Sequence, residues 1–139
     1  MSRTKIPDGI KAQLAVLSSN RCEYCLSPEA FSTQAFEIDH VLALSLDGET
    51  VLKNLARGCN SHKFNKINAL DGLTGLVVPI FNPRVQTWKE HFAWDADPLY
   101  VIGLTPCGRA TIDALKLNRP KLIELRELLL DIHRHPPEL

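Results

Sequence analysis

Hydrophobic positions near the start of the chain recur with a helical period. Ile10, Leu14 and Leu17 stand at i, i+4 and i+7, which predicts a short amphipathic helix over residues 7–18. Asp8 is expected to cap its first turn and Ser19-Asn20 to stop it. The period then changes. Between residues 36 and 45, Phe36, Ile38, Leu42 and Leu44 alternate with other residues and His40 falls on their face, the pattern of a strand or hairpin. Leu46-Asp47-Gly48-Glu49 supplies a turn, and residues 60–68 are short and polar, which suits a surface helix packed on one side. Asp71-Gly72 and Thr74-Gly75 bracket a turn ahead of the β-branched run LVVPIF, a further strand, and residues 91–94 and 99–104 are expected to extend a small sheet. Thr105-Pro106 reads as the cap and first turn of a helix. Asn118 and Pro120 open another, which carries Leu122, Leu125, Leu128, Leu129 and Ile132. This mixture makes the fold class α+β, with the last helices as scaffold.

Length and composition narrow the picture. A chain of 139 residues without internal repeat or low-complexity segment suits one domain, 1–139, and 45% hydrophobic with 23% charged residues is the balance of a globular protein with a real core. No run approaches the roughly 20 apolar residues of a membrane helix, and the first residues lack the apolar stretch of a signal peptide. The expected location is cytoplasmic, with no membrane partner. Sixteen basic residues balance sixteen acidic ones, so net charge does not argue for nucleic acid. The distribution does: Lys53, Arg57, Lys63 and Lys66 form a basic strip with no acidic residue among them, suited to phosphate or simply to solvent.

Candidate chemistry lies in the same stretch. In a reducing compartment Cys22-x2-Cys25 favours metal ligation over a disulfide, whereas Cys107 reads as a buried thiol. Asp39-His40 follows, then Asn54, then Cys59-Asn60-Ser61-His62-Lys63. Each feature alone is weak. In this order they resemble the HNH endonuclease family, and the likeness continues through Phe81-Asn82-Pro83-Arg84, the segment from Trp88 to Trp94, and Gly108-Arg109-Ala110-Thr111. Trp88, Phe92 and Trp94 are expected to build the core, whereas Arg84, His91 and Arg109 suit either a role in the family-like tail or structural hydrogen bonding and are left out of the catalytic set.

The resemblance implies a ββα-metal core over about residues 20–68, a hairpin and a helix holding a divalent cation, Mg or Mn, against the scissile phosphate of DNA, with double-stranded DNA as the partner. His40 would be the general base, since an imidazole of ordinary pKa about 6.5 accepts a proton near neutrality. Asp39, a hard oxygen donor, and Asn60 would hold the catalytic ion. Asn54 would brace the loop and orient the histidine. Lys63, Lys66 and Arg57 would contact nucleic acid. Because neighbouring strand residues point to opposite faces, Asp39 and His40 should diverge, and a bulge or a strand end is expected there.

The chain also departs from the family pattern. A second CxxC normally closes a four-thiolate zinc site, but here only Cys59 is present, Ala56 stands where the other cysteine would fall, and the stretch from Asn54 to Cys59 is shortened. His62 could complete a Cys22, Cys25, Cys59, His62 zinc site. The alternatives are a metal-free knuckle and a loop displaced far enough to disable catalysis. The second of these would leave a silent zinc-stabilised nucleic-acid-binding module, and a zinc-stabilised protein-interaction domain is a third reading.

Overall fold

The computed structural model describes residues 6–32, 36–42, 48–58 and 66–139. Helix α1 runs over Asp8–Leu17. Pro7, not Asp8, occupies the N-cap position, and Asp8 instead places its charge in the first turn, where it complements the helix dipole. The helix stops as expected: Ser19 and Asn20 both adopt positive φ, 54° and 55°. Of the apolar stripe only Leu14 is fully buried, and Leu17 is exposed.

Three antiparallel pairs follow, each a separate two-stranded sheet among the described residues. Strand β1, Glu37–His40, pairs with β2, Leu55–Gly58, in the register Asp39 to Ala56 and His40 to Leu55. Strand β3, Asn68–Leu70, pairs with β4, Val77–Pro79, around the predicted turn at Asp71. After the short helix α2, Trp88–His91, strand β5, Phe92–Trp94, pairs with β6, Val101–Gly103. The small additional sheet expected from the later strands is therefore two separate strand pairs, β3–β4 and β5–β6, among the described residues, and His91 belongs to a helix turn instead of a strand. Most of the helix expected over residues 60–68 lies outside the described residues. Its last part is not helical: Lys66 and Ile67 are irregular and Asn68 opens β3.

Helix α3, Pro106–Leu115, begins as its sequence predicts, with Pro106 in the first turn and the Thr105 hydroxyl accepting the Gly108 N–H at 3.1 Å. Helix α4, Pro120–Asp131, starts at the predicted proline, but its buried face differs from the leucine stripe. Leu122 and Leu129 are buried with Arg126 between them, while Leu128 is 65% and Ile132 53% exposed. Arg126 is tolerated inside because its guanidinium donates to the carbonyls of Leu99, at 2.8 Å, and Leu117, at 2.6 Å, and to Asn118 Oδ1 at 3.1 Å. Asn118 ties β6 instead of capping α4, exchanging two bonds of 2.9 Å with the Val101 backbone.

The core joins the two ends of the chain. Cys22, Tyr24 and Cys25 pack with Ala56, Phe81 and Phe92. Phe81 meets Tyr24 and Phe92 edge to face, with centroids 6.4 and 5.2 Å apart, and Trp88 stacks on Phe92 at 5.2 Å. The aromatic segment is thus core, as its sequence suggested. No helix among the described residues is long and apolar enough to cross a membrane.

Candidate active site at the end of the first hairpin

His40 is the last residue of β1, so the divergence of Asp39 and His40 comes at a strand end, with the register into it regular. Strand β2 is buried throughout while Asp39 and His40 are half-buried, because β2 lies on the core and β1 lies outside it. The imidazole is therefore not sealed in the apolar interior. Its Nε2 lies 2.9 Å from the hydroxyl of Thr50, a residue to which the sequence pattern assigned no role.

Asn54 closes the loop between the strands. Its Oδ1 accepts the Leu42 N–H at 2.8 Å, and its Nδ2 donates to the carbonyls of Leu42, at 3.0 Å, and Glu49, at 2.8 Å. Its own carbonyl accepts the Val41 N–H at 2.8 Å, continuing the ladder past the strand end. One amide thus pins both arms of the loop. The amide bonds backbone groups and not the imidazole, so any orienting effect on His40 passes through the loop.

A groove of ≈ 470 Å³ opens beside Val41 and Leu42, the two residues after His40, with Lys66, Asn68, Asn82 and Gln86 among its lining. Lys66 is exposed on this side, as a phosphate contact requires. Lys53 is exposed as well, but Arg57 is not part of a solvent strip. It is buried, ion-paired with Glu29, and its guanidinium stands 5.2 Å over the Phe36 ring. A guanidinium already engaged within the fold would have to break that pair to reach a phosphate.

The cysteine pair forms a tight turn. Cys22 Sγ accepts the N–H groups of Tyr24 and Cys25, each at 3.4 Å, and a bridge from Arg21 to Pro28 closes the turn behind it. A turn that aims two N–H groups at one sulfur suits a metal-bound thiolate. Gly58 passes alongside: a Cβ there would stand 3.5 Å from Cys22 Sγ. Cys59, Asn60, His62 and Lys63 lie outside the described residues. Among the described residues no three His, Cys, Asp or Glu side chains come together as a metal site. Asp39, a hard carboxylate at a half-exposed strand end, has the donor chemistry a hard divalent cation needs.

Long-range charge pairs that no local pattern indicates hold this region. Glu23, inside the CxxC turn, forms a buried ion pair with Arg84, and its Oε1 accepts the Arg57 N–H at 3.0 Å. Burial pushes the Arg84 guanidinium below its ordinary value. Glu29 is held below the usual carboxylate range first by the Phe36 N–H and then by Arg57. The Trp88 indole donates to the Tyr24 carbonyl at 2.9 Å, fixing α2 against the knuckle. Arg84, His91 and Arg109 all make structural contacts: His91 Nδ1 lies 2.7 Å from the Thr105 hydroxyl, and Arg109 grips Asp71 with two bonds of 2.9 and 3.0 Å. Cys107 is half-buried, its thiol pushed up by burial.

Compared with known protein families, residues 22–66 match the family model described as HNH endonuclease. No curated protein and no solved structure is significantly similar to the chain.

Proposed function

Since residues 22–66 belong to the HNH endonuclease family, we propose that the protein is a metal-dependent endonuclease that hydrolyses phosphodiester bonds of DNA. The observation that carries this reading is the end of β1, where an imidazole and a carboxylate, adjacent in sequence and both half-buried, directly precede Val41 and Leu42, two residues that line a groove. Hydrolysis needs a water deprotonated near neutral pH and close positioning of that water against the phosphate. His40 takes the proton of the attacking water. Asp39 and Asn60 would hold the divalent cation, Mg or Mn, which when bound would neutralise charge developing on the phosphate and the leaving oxygen. Asn54 braces the loop that frames the histidine, and Lys66 and Lys63 draw the sugar-phosphate backbone onto the site. Cys22 and Cys25, with Cys59 and His62, would hold a structural zinc, which when bound would cross-link the cysteine turn. Together these assignments complete a ββα-metal core in which β1 and β2 are the two strands.

The test is cleavage of supercoiled plasmid in the presence of Mg²⁺ or Mn²⁺. His40→Ala is expected to cut at least about a hundredfold more slowly than the wild type. Equal cutting by both would remove His40 as the base. Salt-dependent DNA binding without product at any pH would favour a silent binding module.

A further inference from the structure

A neutral imidazole carries one N–H and one lone pair, and the partner of one nitrogen decides which chemistry the other can perform. At His40 the partner of Nε2 is Thr50, with its hydroxyl at 2.9 Å. We infer that Thr50 is the positioning residue of His40: its hydroxyl accepts the Nε2–H, setting the tautomer and ring angle that make Nδ1 the basic nitrogen. This inference rests on the nuclease reading of His40 and deepens it.

The loop geometry explains why a residue of the turn can hold a ring at the strand end. Asn54 donates to the carbonyl of Glu49, the residue before Thr50, at 2.8 Å, and to the carbonyl of Leu42, two residues after His40, at 3.0 Å. It therefore ties the segment that carries the hydroxyl to the segment that carries the ring. Thr50 is the link through which that bracing reaches the imidazole. The β-branched side chain suits the task, since a stiff χ1 holds the hydroxyl at a set position with little entropy left to lose. Thr50 is half-buried, so its bond to His40 is only partly exposed to competition from water.

Thr50→Val keeps the shape and removes the hydroxyl, and Thr50→Ser restores it. Both variants are compared with the wild type in the full chain by plasmid cleavage with Mg²⁺. In parallel, the ¹⁵N ring signals of His40 are read in metal-free protein at alkaline pH, where the imidazole is neutral. Thr50→Val is expected to lower kcat by roughly tenfold with little change in KM, because a misplaced base slows the chemical step and not binding. The wild-type ring should carry its proton on Nε2, Thr50→Val should show both tautomers, and Thr50→Ser should recover the rate and the single tautomer. Wild-type kcat in Thr50→Val, an unchanged tautomer in that variant, or a wild-type ring protonated on Nδ1 would each overturn the inference. If His40→Ala cuts as well as the wild type, the nuclease role of His40 falls by itself, and the ring signals still decide whether Thr50 sets the tautomer.

Discussion

At Gly108 a single methyl group would collide with the main chain of α2: its Cβ would lie 2.0 Å from the His91 carbonyl oxygen, a backbone atom that cannot step aside as a side-chain tip could. Gly108→Ala is therefore expected to destabilise the protein by about 3 kcal/mol, at the upper end of overpacking costs. Gly9, in the first turn of α1, has nothing within 4 Å of its would-be Cβ, and Gly9→Ala is expected to stabilise by about 0.5 kcal/mol. Urea unfolding of the two variants should show midpoints moving in opposite directions, and equal shifts would contradict the packing account. The same scale separates residues that look alike in sequence. Lys66 and Arg57 belong to one basic strip, yet Lys66 is exposed beside the groove and Arg57 is buried against Glu29. Charge type was legible from the chain. The partner was not, because Glu29 meets Arg57 only when β2 pairs with β1 behind the cysteine turn.

Among the elements, those with strong local signals formed where the pattern placed them. The stop at Ser19-Asn20, the turn at Asp71, the cap at Thr105 and the start of α4 at Pro120 each depend on the conformational habits of one or two residues. Strand β3 was illegible for the opposite reason. Asn68-Ala69-Leu70 is short and has no β-branched residue, and it is a strand because Val77–Pro79 folds back to pair with it. Most of the helix expected over residues 60–68 falls outside the described residues, and of the proposed zinc site only the turn that carries Cys22 and Cys25 is described. If the knuckle holds zinc, metal analysis should return zinc near equimolar with the chain, and chelation should lower Tm by about 5 °C or more. Cys22→Ser should lack the metal and no longer respond to chelator. Absence of zinc together with an unchanged Tm on chelation would remove the structural-metal reading.

The molecule as a whole is tied together by ion pairs between distant elements, and these make its stability depend on pH. Arg109 on α3 grips the buried Asp71 of the β3–β4 turn and, with the Thr74 hydroxyl and the Leu73 N–H, holds that carboxyl well below the usual carboxylate range. A depressed carboxyl stabilises the fold fully above the unfolded value of about 3.9, and that contribution is lost as pH falls through the lower folded value. His135 acts in the same direction from a higher starting point. Burial pushes its ring below the ordinary 6.5, so the unfolded chain takes up a proton there before the folded one does. Stability is therefore expected to fall in two stages on acidification, the first beginning near pH 6.5 and the second below about pH 4. Asp71→Asn should flatten only the second stage, as read by urea midpoints across the pH range; an unaltered acid limb in this variant would exclude Asp71 as its source. The amino-acid sequence by itself determined the mixed α+β character, the cap at Thr105 and the turns, the aromatic core, and the order of cysteine, aspartate, histidine and asparagine that resembles the family pattern, because these depend on neighbours within a few residues. Only the tertiary structure decided that Thr50 meets His40, that Arg57 and Arg84 turn inward to Glu29 and Glu23, and that α4 buries an arginine where a leucine stripe was expected. Those choices are made by contacts between residues far apart in the chain, and no local period carries them.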